Sequence, residues 1–242
     1  MLVPQSLWDS MWSGQTPQKG FEHFEIVAKD LPKTAGLEFF EVGCAPGGIL
    51  AEFCGRLGYV AHGIDYSDAV HSVGDYLRKE GVRVGEIHHA DFLTWATERR
   101  YDIVASFGFI EHFTDPAQII DRHFELVRPG GIVIVTMPNL ARGQKVLHWL
   151  FDRHNLGRHN TRCMNLRFFR AAATRNRAEI LTASYVGGNY DFWYEEQPHS
   201  WVTLRVMWRT LRLVDGIAHR MPKRANQWFS PYIIGTFRAR GG

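Results

Sequence analysis

Four carboxylates stand at or just after the ends of short apolar runs, and their positions are the first sign of chemistry in this chain. They are Glu41, Asp65, Asp91 and Glu111. Parallel strands of an α/β sheet end at one edge, so strands that end in these residues would place all four around one crevice. Such a crevice would repel a pyrophosphate group and attract a ligand that carries positive charge.

A glycine-rich turn follows the first of these runs. Residues 37–42 have the length and apolar character of a buried strand, and Gly43, Gly47 and Gly48 follow it, before apolar residues at helical spacing. A strand, turn and helix of this kind present free backbone N–H groups to a ligand. Gly43, Ala45 and Gly48 match a dinucleotide fingerprint imperfectly, because Ala45 stands where a glycine normally approaches the pyrophosphate. The turn and the four acids together favour S-adenosylmethionine, with its sulfonium, ammonium and ribose hydroxyls, over NAD.

Two side chains have positions that suggest individual roles. Asp65 lies 22 residues after Gly43, a spacing at which nucleotide-binding units place a carboxylate on the ribose hydroxyls. His112 follows the fourth apolar run, at the expected mouth of the crevice, and its ordinary pKa of about 6.5 suits a general base for a hydroxyl nucleophile. A histidine that only shapes the pocket is the alternative, and the sequence leaves both open.

The remaining histidines and arginines give weaker signals. His148, His154 and His159 match no zinc spacing, so a solvated or substrate-lining role is favoured and no metal site is predicted. The arginines between 153 and 177 suit either an anionic acceptor or a solvated surface. Trp8 and Trp12 either close over the cofactor or anchor the N-terminal arm.

The elements that position these residues alternate between strand and helix. After an irregular arm over 1–19 and a short helix before Pro32, the pattern predicts strands at 37–42, 59–64, 82–89, 101–107 and 132–137, with helices between them. This rhythm is typical of a doubly wound, mostly parallel sheet. Two more strands are predicted at 178–186 and 231–237, separated by a 44-residue insertion over 187–230. The insertion is too long to lack structure, and 204–221 carries a helical apolar stripe.

Composition limits the class of protein. The 242 residues, 45% of them hydrophobic, suffice for one large core. A net charge of +3 gives no reason to expect a nucleic-acid partner. The three cysteines imply neither a disulfide framework nor a zinc cluster. The sequence contains no secretory signal and no long apolar span, so we expect a soluble cytoplasmic protein. Peripheral membrane contact through 201–221 is a less favoured alternative to a helix that covers the pocket.

Five motifs, in order, resemble the class I S-adenosylmethionine-dependent methyltransferases, especially the small-molecule branch with the ubiquinone-biosynthesis enzymes. They are Glu41-Val42-Gly43-Cys44-Ala45-Pro46-Gly47, Gly63-Ile64-Asp65-Tyr66-Ser67, Ala90-Asp91-Phe92, the run 101–116 and Leu126-Val127-Arg128-Pro129-Gly130-Gly131. The resemblance covers about 39–139 well and the last strand loosely. It implies a Rossmann-like seven-stranded sheet of order 3-2-1-4-5-7-6, with the seventh strand antiparallel and a substrate lid late in the chain, which the insertion fits.

The resemblance also implies roles for individual residues. The turn with Gly43, Cys44, Ala45 and Gly47 would hold the methionine end of the cofactor, with Glu41 beside its ammonium. Asp65 would bind the ribose hydroxyls, with Ser67 in the same motif and Tyr66 against the adenine. Asp91 would accept from the adenine amino group, with Phe92 near the ring, while Phe107 and Gly108 would lie beneath the sulfonium. Ubiquinone-type enzymes use a Glu three positions before their Glu-His pair as a third metal ligand, and Gly108 stands there in this chain.

These inferences lead to one prediction and its alternatives. The prediction is a single methyltransferase domain over 1–242, with an N-terminal arm and helix (1–35), a cofactor-binding half (36–139) and a substrate half (140–242). It would transfer a methyl group from S-adenosylmethionine to an oxygen or nitrogen of a small molecule, of anionic or aromatic character. A non-catalytic S-adenosylmethionine-binding protein and an NAD-dependent oxidoreductase are the alternatives. Nucleic acid is disfavoured, because residues 107–110 lack the Pro-Pro-aromatic run of base-modifying relatives.

Overall fold

A seven-stranded sheet forms the centre of the molecule. The computed structural model describes residues 3–12, 17–188 and 224–240, together with 206, 207, 209, 210, 212, 213 and 216. The strands are β1 Glu38–Val42, β2 Val60–Asp65, β3 Arg83–His89, β4 Tyr101–Phe107, β5 Val127–Pro138, β6 Glu179–Val186 and β7 Tyr232–Arg238. Their order is β3-β2-β1-β4-β5-β7-β6, and β7 is antiparallel to both of its neighbours. The predicted fold class and strand order are therefore confirmed.

Helices cover both faces of the sheet. They are α1 Gln5–Trp12, α2 Phe24–Ala28, α3 Gly48–Leu57, α4 Val73–Lys79, α5 Pro116–Leu126, α6 Arg142–Phe151, α7 Arg153–Gly157 and α8 Leu166–Arg175. The Asp115 side chain accepts hydrogen bonds from the N–H groups of Ala117 and Gln118, and Pro116 occupies the first turn, so α5 begins where the sequence indicated. The expectation of an irregular arm over 1–19 was wrong, because this segment contains α1.

Alternate side chains of β1 fill the two core layers. Phe39 stacks against Phe53 on one face of the sheet, while Phe40 stacks against Tyr101 on the other. Both phenylalanines are fully buried, and burial of such a side chain contributes roughly 1.5–3 kcal/mol. β1 therefore lies in the middle of the fold, and its carboxyl end is held rigidly by packing on both sides.

The chain between α1 and α2 crosses the start of α3 at very close range. A Cβ on Gly48 would lie 2.0 Å from the carbonyl oxygen of Gln18, so only glycine allows this crossing. One oxygen of Glu52 accepts hydrogen bonds from the N–H groups of Gly20 and Phe21, at 2.8 and 2.7 Å. The arm is thereby tied to the helix that follows the glycine turn.

Much of the predicted insertion lies outside the described residues. This holds for most of 187–230, including the lid and most of the 204–221 stripe. At its carboxyl end, Asn139 Nδ2 donates to the carbonyl oxygen of Ser230 at 2.7 Å, and Gln144 Nε2 donates to that of Phe229. Residues 229–230 are thus joined to the end of β5 and to α6. Within the part of the chain that the structure describes, no helix has the length and apolar character to cross a membrane.

Candidate functional site

A cavity of about 360 Å³ opens at the carboxyl ends of β1, β2 and β4. This is the crevice at which ligands bind in open α/β sheets. Nine of the twelve predicted cofactor-binding residues line it: Glu41, Gly43, Cys44, Ala45, Gly47, Asp65, Tyr66, Phe107 and Gly108. The helix α1 adds Trp8 and Trp12, and the crossing segment adds Gln18.

The shape of the turn depends on two glycines with left-handed backbone. Gly43 has a φ of 77° and Gly47 a φ of 101°, a region that residues with a side chain rarely adopt. A Cβ on Gly43 would also lie 2.6 Å from Cδ2 of Phe109. The turn thus brings the backbone to the wall of the cavity with no side chain between it and a ligand.

Glu41 is a buried carboxylic acid at the floor of this cavity. Its side chain is 3% exposed, and among the described residues its Oε2 atom has no hydrogen-bond partner. Burial, and secondly the charge of Asp65, raise the pKa of Glu41 well above its usual value. Burial of an acid without a partner costs folding free energy. A cationic ligand group beside Glu41 would therefore offset this cost and would itself be held by the acid.

Asp65 organises the turn as well as facing the cavity. Its Oδ2 atom accepts from the N–H of Ala45 at 2.9 Å, and its Oδ1 atom accepts from the N–H and the hydroxyl of Ser67 at 2.8 Å. A carboxylate offers about four lone-pair sites, so Asp65 retains capacity for ligand hydroxyls. Ser67 itself is buried behind Asp65 and does not line the cavity.

Asp91 and Phe92 also lie away from the cavity wall. The Oδ1 atom of Asp91 accepts from the N–H of Leu93, two residues further on. Phe92 is buried and packs edge-on against Phe109 and His123. The structure therefore groups Glu41, Asp65 and the glycine turn but not this pair, whose cofactor contact stays a prediction.

A second cavity, of about 310 Å³, adjoins the first. Both cavities share a boundary formed by Trp8, Trp12, Ile49, Phe107, Gly108 and His112. Helix α1 forms one wall, and Trp8 packs edge-on against His112 with a ring separation of 4.8 Å. Two hydrogen bonds hold α1, from Gln5 Nε2 to the carbonyl oxygen of Tyr66 and from the N–H of Asp68 to Asp9. Of the arginines between 153 and 177, only Arg158 lines this cavity.

His112 stands where the two cavities meet. Its Nδ1 atom donates to the carbonyl oxygen of Arg158 at 3.1 Å, which leaves the lone pair of the neutral ring on Nε2. Burial, followed by the neighbouring His159 ring, lowers the pKa of His112 to about 3. The ring is therefore neutral at physiological pH, and the ordinary pKa assumed from sequence does not apply.

Glu111 and His159 lie beside His112. Glu111 is fully buried, burial raises its pKa to about 8, and its Oε1 atom lies 3.9 Å from Nε2 of His112. His159 lines the second cavity, whereas His154 is exposed and His148 is buried against Asp152 at 3.0 Å. His159 reaches the site because the N–H of Asn160 donates to the carbonyl oxygen of Glu111 at 2.7 Å.

Comparisons with known proteins identify the family and the fold. A family model described as "Methyltransferase domain" matches residues 24–180. A ubiquinone biosynthesis O-methyltransferase from Acinetobacter baumannii is 37% identical over 108 residues, which cover 43% of this chain and 45% of that protein. The chain thus matches less than half the length of this relative.

Two solved structures show the same fold. A Geobacter sulfurreducens S-adenosylmethionine-dependent methyltransferase, in complex with S-adenosylhomocysteine, has a TM-score of 0.62 and 17% identity, covering 99% of this chain and 100% of the other. The N-methyltransferase NodS from Bradyrhizobium japonicum has a TM-score of 0.60 and 13% identity over the same shares. Because the family model matches more than half of the chain, the predicted family is confirmed, and this chain belongs to the methyltransferase-domain family.

Proposed function

We propose that this protein transfers a methyl group from S-adenosylmethionine to an oxygen or nitrogen atom of a small molecule. The observation that carries the proposal is the composition of the first cavity. It is lined by Glu41, a buried acid whose Oε2 atom has no partner among the described residues, by Asp65, which can accept from ribose hydroxyls, and by the glycine turn. When bound, S-adenosylmethionine supplies an electrophilic methyl group on its sulfonium. NAD fits less well, because its pyrophosphate would face Glu41 and Asp65.

Some residues of the site would bind the cofactor, and others would align the acceptor with the methyl group. Glu41 would pair with the ammonium group, Asp65 would accept from the ribose hydroxyls, and Phe107 and Gly108 would face the sulfonium. The second cavity would hold the acceptor in line with the methyl group and away from water. His112 is our candidate catalytic residue: its neutral Nε2 atom would take up the proton that a hydroxyl acceptor loses on methylation, as a weaker base than a free histidine because burial lowers its pKa to about 3. A neutral amine acceptor would not need this step.

The walls of the second cavity suggest the character of the acceptor. Trp8, Trp12, Phe21 and Tyr232 supply aromatic surface, and Arg158 supplies a cation. These side chains suit a small molecule with an aromatic or apolar body and an anionic group. The relative from Acinetobacter is named as an O-methyltransferase, which supports an oxygen acceptor. We therefore favour an oxygen acceptor over a nitrogen acceptor.

The Glu41→Gln variant tests the cofactor assignment. The replacement keeps the size of the side chain but cannot carry a charge, so affinity for S-adenosylmethionine should fall by roughly 10–100-fold, as for a lost hydrogen bond to a charged group. Calorimetric titration measures this. 5′-Methylthioadenosine lacks the amino-acid end of the cofactor, so its affinity should be the same for both proteins.

The outcome of these titrations separates the alternatives. Binding of NADH with an affinity above that of S-adenosylmethionine would contradict the proposal. Release of S-adenosylhomocysteine with a panel of phenols and amines would distinguish an enzyme from a non-catalytic binding protein. If cofactor binds but no acceptor supports release, the non-catalytic alternative becomes the better account.

The insertion remains a proposed substrate lid within a single domain. Deletion of 190–222 behind a short linker should abolish turnover with an acceptor found above, while the affinity for S-adenosylmethionine changes less than about threefold. Residues 224–230 are kept because Asn139 and Gln144 bind the backbone of Ser230 and Phe229. Thermal unfolding first confirms that the deletion variant is folded. A folded variant with full activity would exclude the lid.

A further inference from the structure

Three side chains with metal-binding atoms meet on the floor of the second cavity. One ligand atom each from Glu111, His112 and His159 lie within 4.8 Å of one another. We propose that these three residues hold a divalent first-row transition-metal cation, with His159 as a ligand contributed from outside the segment after β4. This inference extends the proposed function, because it places the cation beside the acceptor, yet the binding itself needs neither acceptor nor cofactor.

The two imidazole rings are oriented for metal binding. His112 Nδ1 donates to the carbonyl oxygen of Arg158 at 3.1 Å, and His159 Nδ1 donates to that of Asn155 at 2.7 Å. Each neutral ring therefore keeps its lone pair on Nε2. A backbone carbonyl that fixes the tautomer in this way is the usual outer contact of metal-binding histidines.

Glu111 gives an independent reason to expect a ligand. The side chain is fully buried, and neither carboxyl oxygen has a hydrogen-bond partner among the described residues. A buried polar group without a partner costs roughly 1–3 kcal/mol. A cation between Glu111 and the two rings would satisfy this carboxylate and offset its burial.

Position 108 explains why the third ligand must come from elsewhere. Gly108 has no side chain and therefore offers no ligand atom of its own. A Cβ on Gly108 would lie 3.6 Å from Oε1 of Glu111, so this position faces the Glu111 carboxylate. His159 approaches from the segment after α7, where Asn160 Nδ2 donates to the carbonyl oxygen of Phe113 at 3.1 Å.

Two imidazoles and one carboxylate favour a particular class of cation. This donor set is found with zinc and with other first-row divalent ions, whereas Mg²⁺ prefers oxygen ligands. Donor atoms around a tetrahedral zinc ion lie roughly 3.4 Å apart. The distances between the ligand atoms of Glu111, His112 and His159 therefore need to shorten by roughly 0.5–1.5 Å when the ion binds. A bound cation supplies Lewis acidity at the acceptor. His112 would then be a ligand rather than the direct proton acceptor.

Metal titration tests the inference without any methyl transfer. Exposed Asp68, His71 and His89 form a second group of possible ligands, so all proteins carry His71→Gln and no histidine tag. After chelator treatment, this protein should bind one equivalent of Zn²⁺ by calorimetry, and Mg²⁺ should give no comparable heat. His159→Gln should weaken Zn²⁺ binding more than about 100-fold, since outer contacts alone cost roughly 10–100-fold. His154→Gln alters an exposed histidine of α7 and should have no effect.

A measurement on the unaltered ligand set guards against a misfolded variant. Co²⁺ bound to the His71→Gln protein should give the visible d–d absorption of a four- or five-coordinate ion and two paramagnetically shifted imidazole N–H resonances, one for each ring. Absence of stoichiometric Zn²⁺ binding, or equal Zn²⁺ affinity in folded His159→Gln, would overturn the inference. Neither result depends on S-adenosylmethionine, so failure of the proposed methyl transfer would be seen separately.

Discussion

Replacement of His112 by glutamine is expected to lower kcat by about 10²–10⁴-fold with an oxygen acceptor, while the affinity for S-adenosylmethionine changes little. The reason is its position where the two cavities meet, with Nδ1 held by the carbonyl oxygen of Arg158 and Nε2 directed away from that bond. Glutamine has a similar reach but cannot take up a proton. Steady-state release of S-adenosylhomocysteine measures the change in kcat.

The His154→Gln variant is the matched control for this loss of activity. His154 is exposed on α7, five residues before His159, and lines neither cavity. Its replacement should leave kcat unchanged. A His112→Gln protein with near-normal kcat would show that alignment alone carries the reaction. If His112 acts as the direct base, the His159→Gln protein should retain most of the activity. If the cation is required, the His112→Gln and His159→Gln proteins should both lose activity.

Asp65→Ala should weaken S-adenosylmethionine binding by roughly 1.5–3 kcal/mol, which is about 10–150-fold in Kd. The loss has two physical sources. The variant lacks the proposed acceptor for the ribose hydroxyls, and it frees the N–H of Ala45 and the hydroxyl of Ser67, which Asp65 holds in place. Calorimetric titration with S-adenosylmethionine gives the change in Kd.

A second replacement separates these two sources. Asp65→Asn keeps one acceptor oxygen for the turn but loses the charge, so its Kd should fall between those of the native protein and Asp65→Ala. Asp68→Ala removes an exposed acid three residues further along and should leave the Kd unchanged. Unaltered affinity in a folded Asp65→Ala protein would remove Asp65 from the cofactor site.

The grouping of Glu41, Asp65 and the glycine turn at one cavity could be predicted because its signals are local in sequence. The strand, glycine turn and helix around Gly43 form one continuous segment, and Asp65 stands at a fixed spacing from it. The parallel strands also end at the same edge of the sheet, so a carboxylate that follows a strand is expected at this edge, where ligands bind. Asp91 and Phe92 follow this rule only in part, because the Asp91 carboxylate caps its own turn at Leu93.

The second cavity, the proposed acceptor site, depends on contacts between distant segments. His159 follows His112 by 47 residues and reaches it only through packing of the segment after α7, which no spacing pattern reveals. Helix α1 was missed because none of its residues is buried, so it lacks the apolar periodicity of a core helix. Its tryptophans instead face the two cavities.

Helix α1 also has a consequence for the kinetics of the enzyme. It forms a wall of both cavities, and two of its hydrogen bonds join it to Tyr66 and Asp68, one and three residues after Asp65, the proposed ribose-binding residue. A nucleotide bound at Asp65 would therefore act on the same short connection that holds this wall of the proposed acceptor cavity. We expect a compulsory order in which the nucleotide enters first and leaves last, so that the methylated product departs while S-adenosylhomocysteine is still in place.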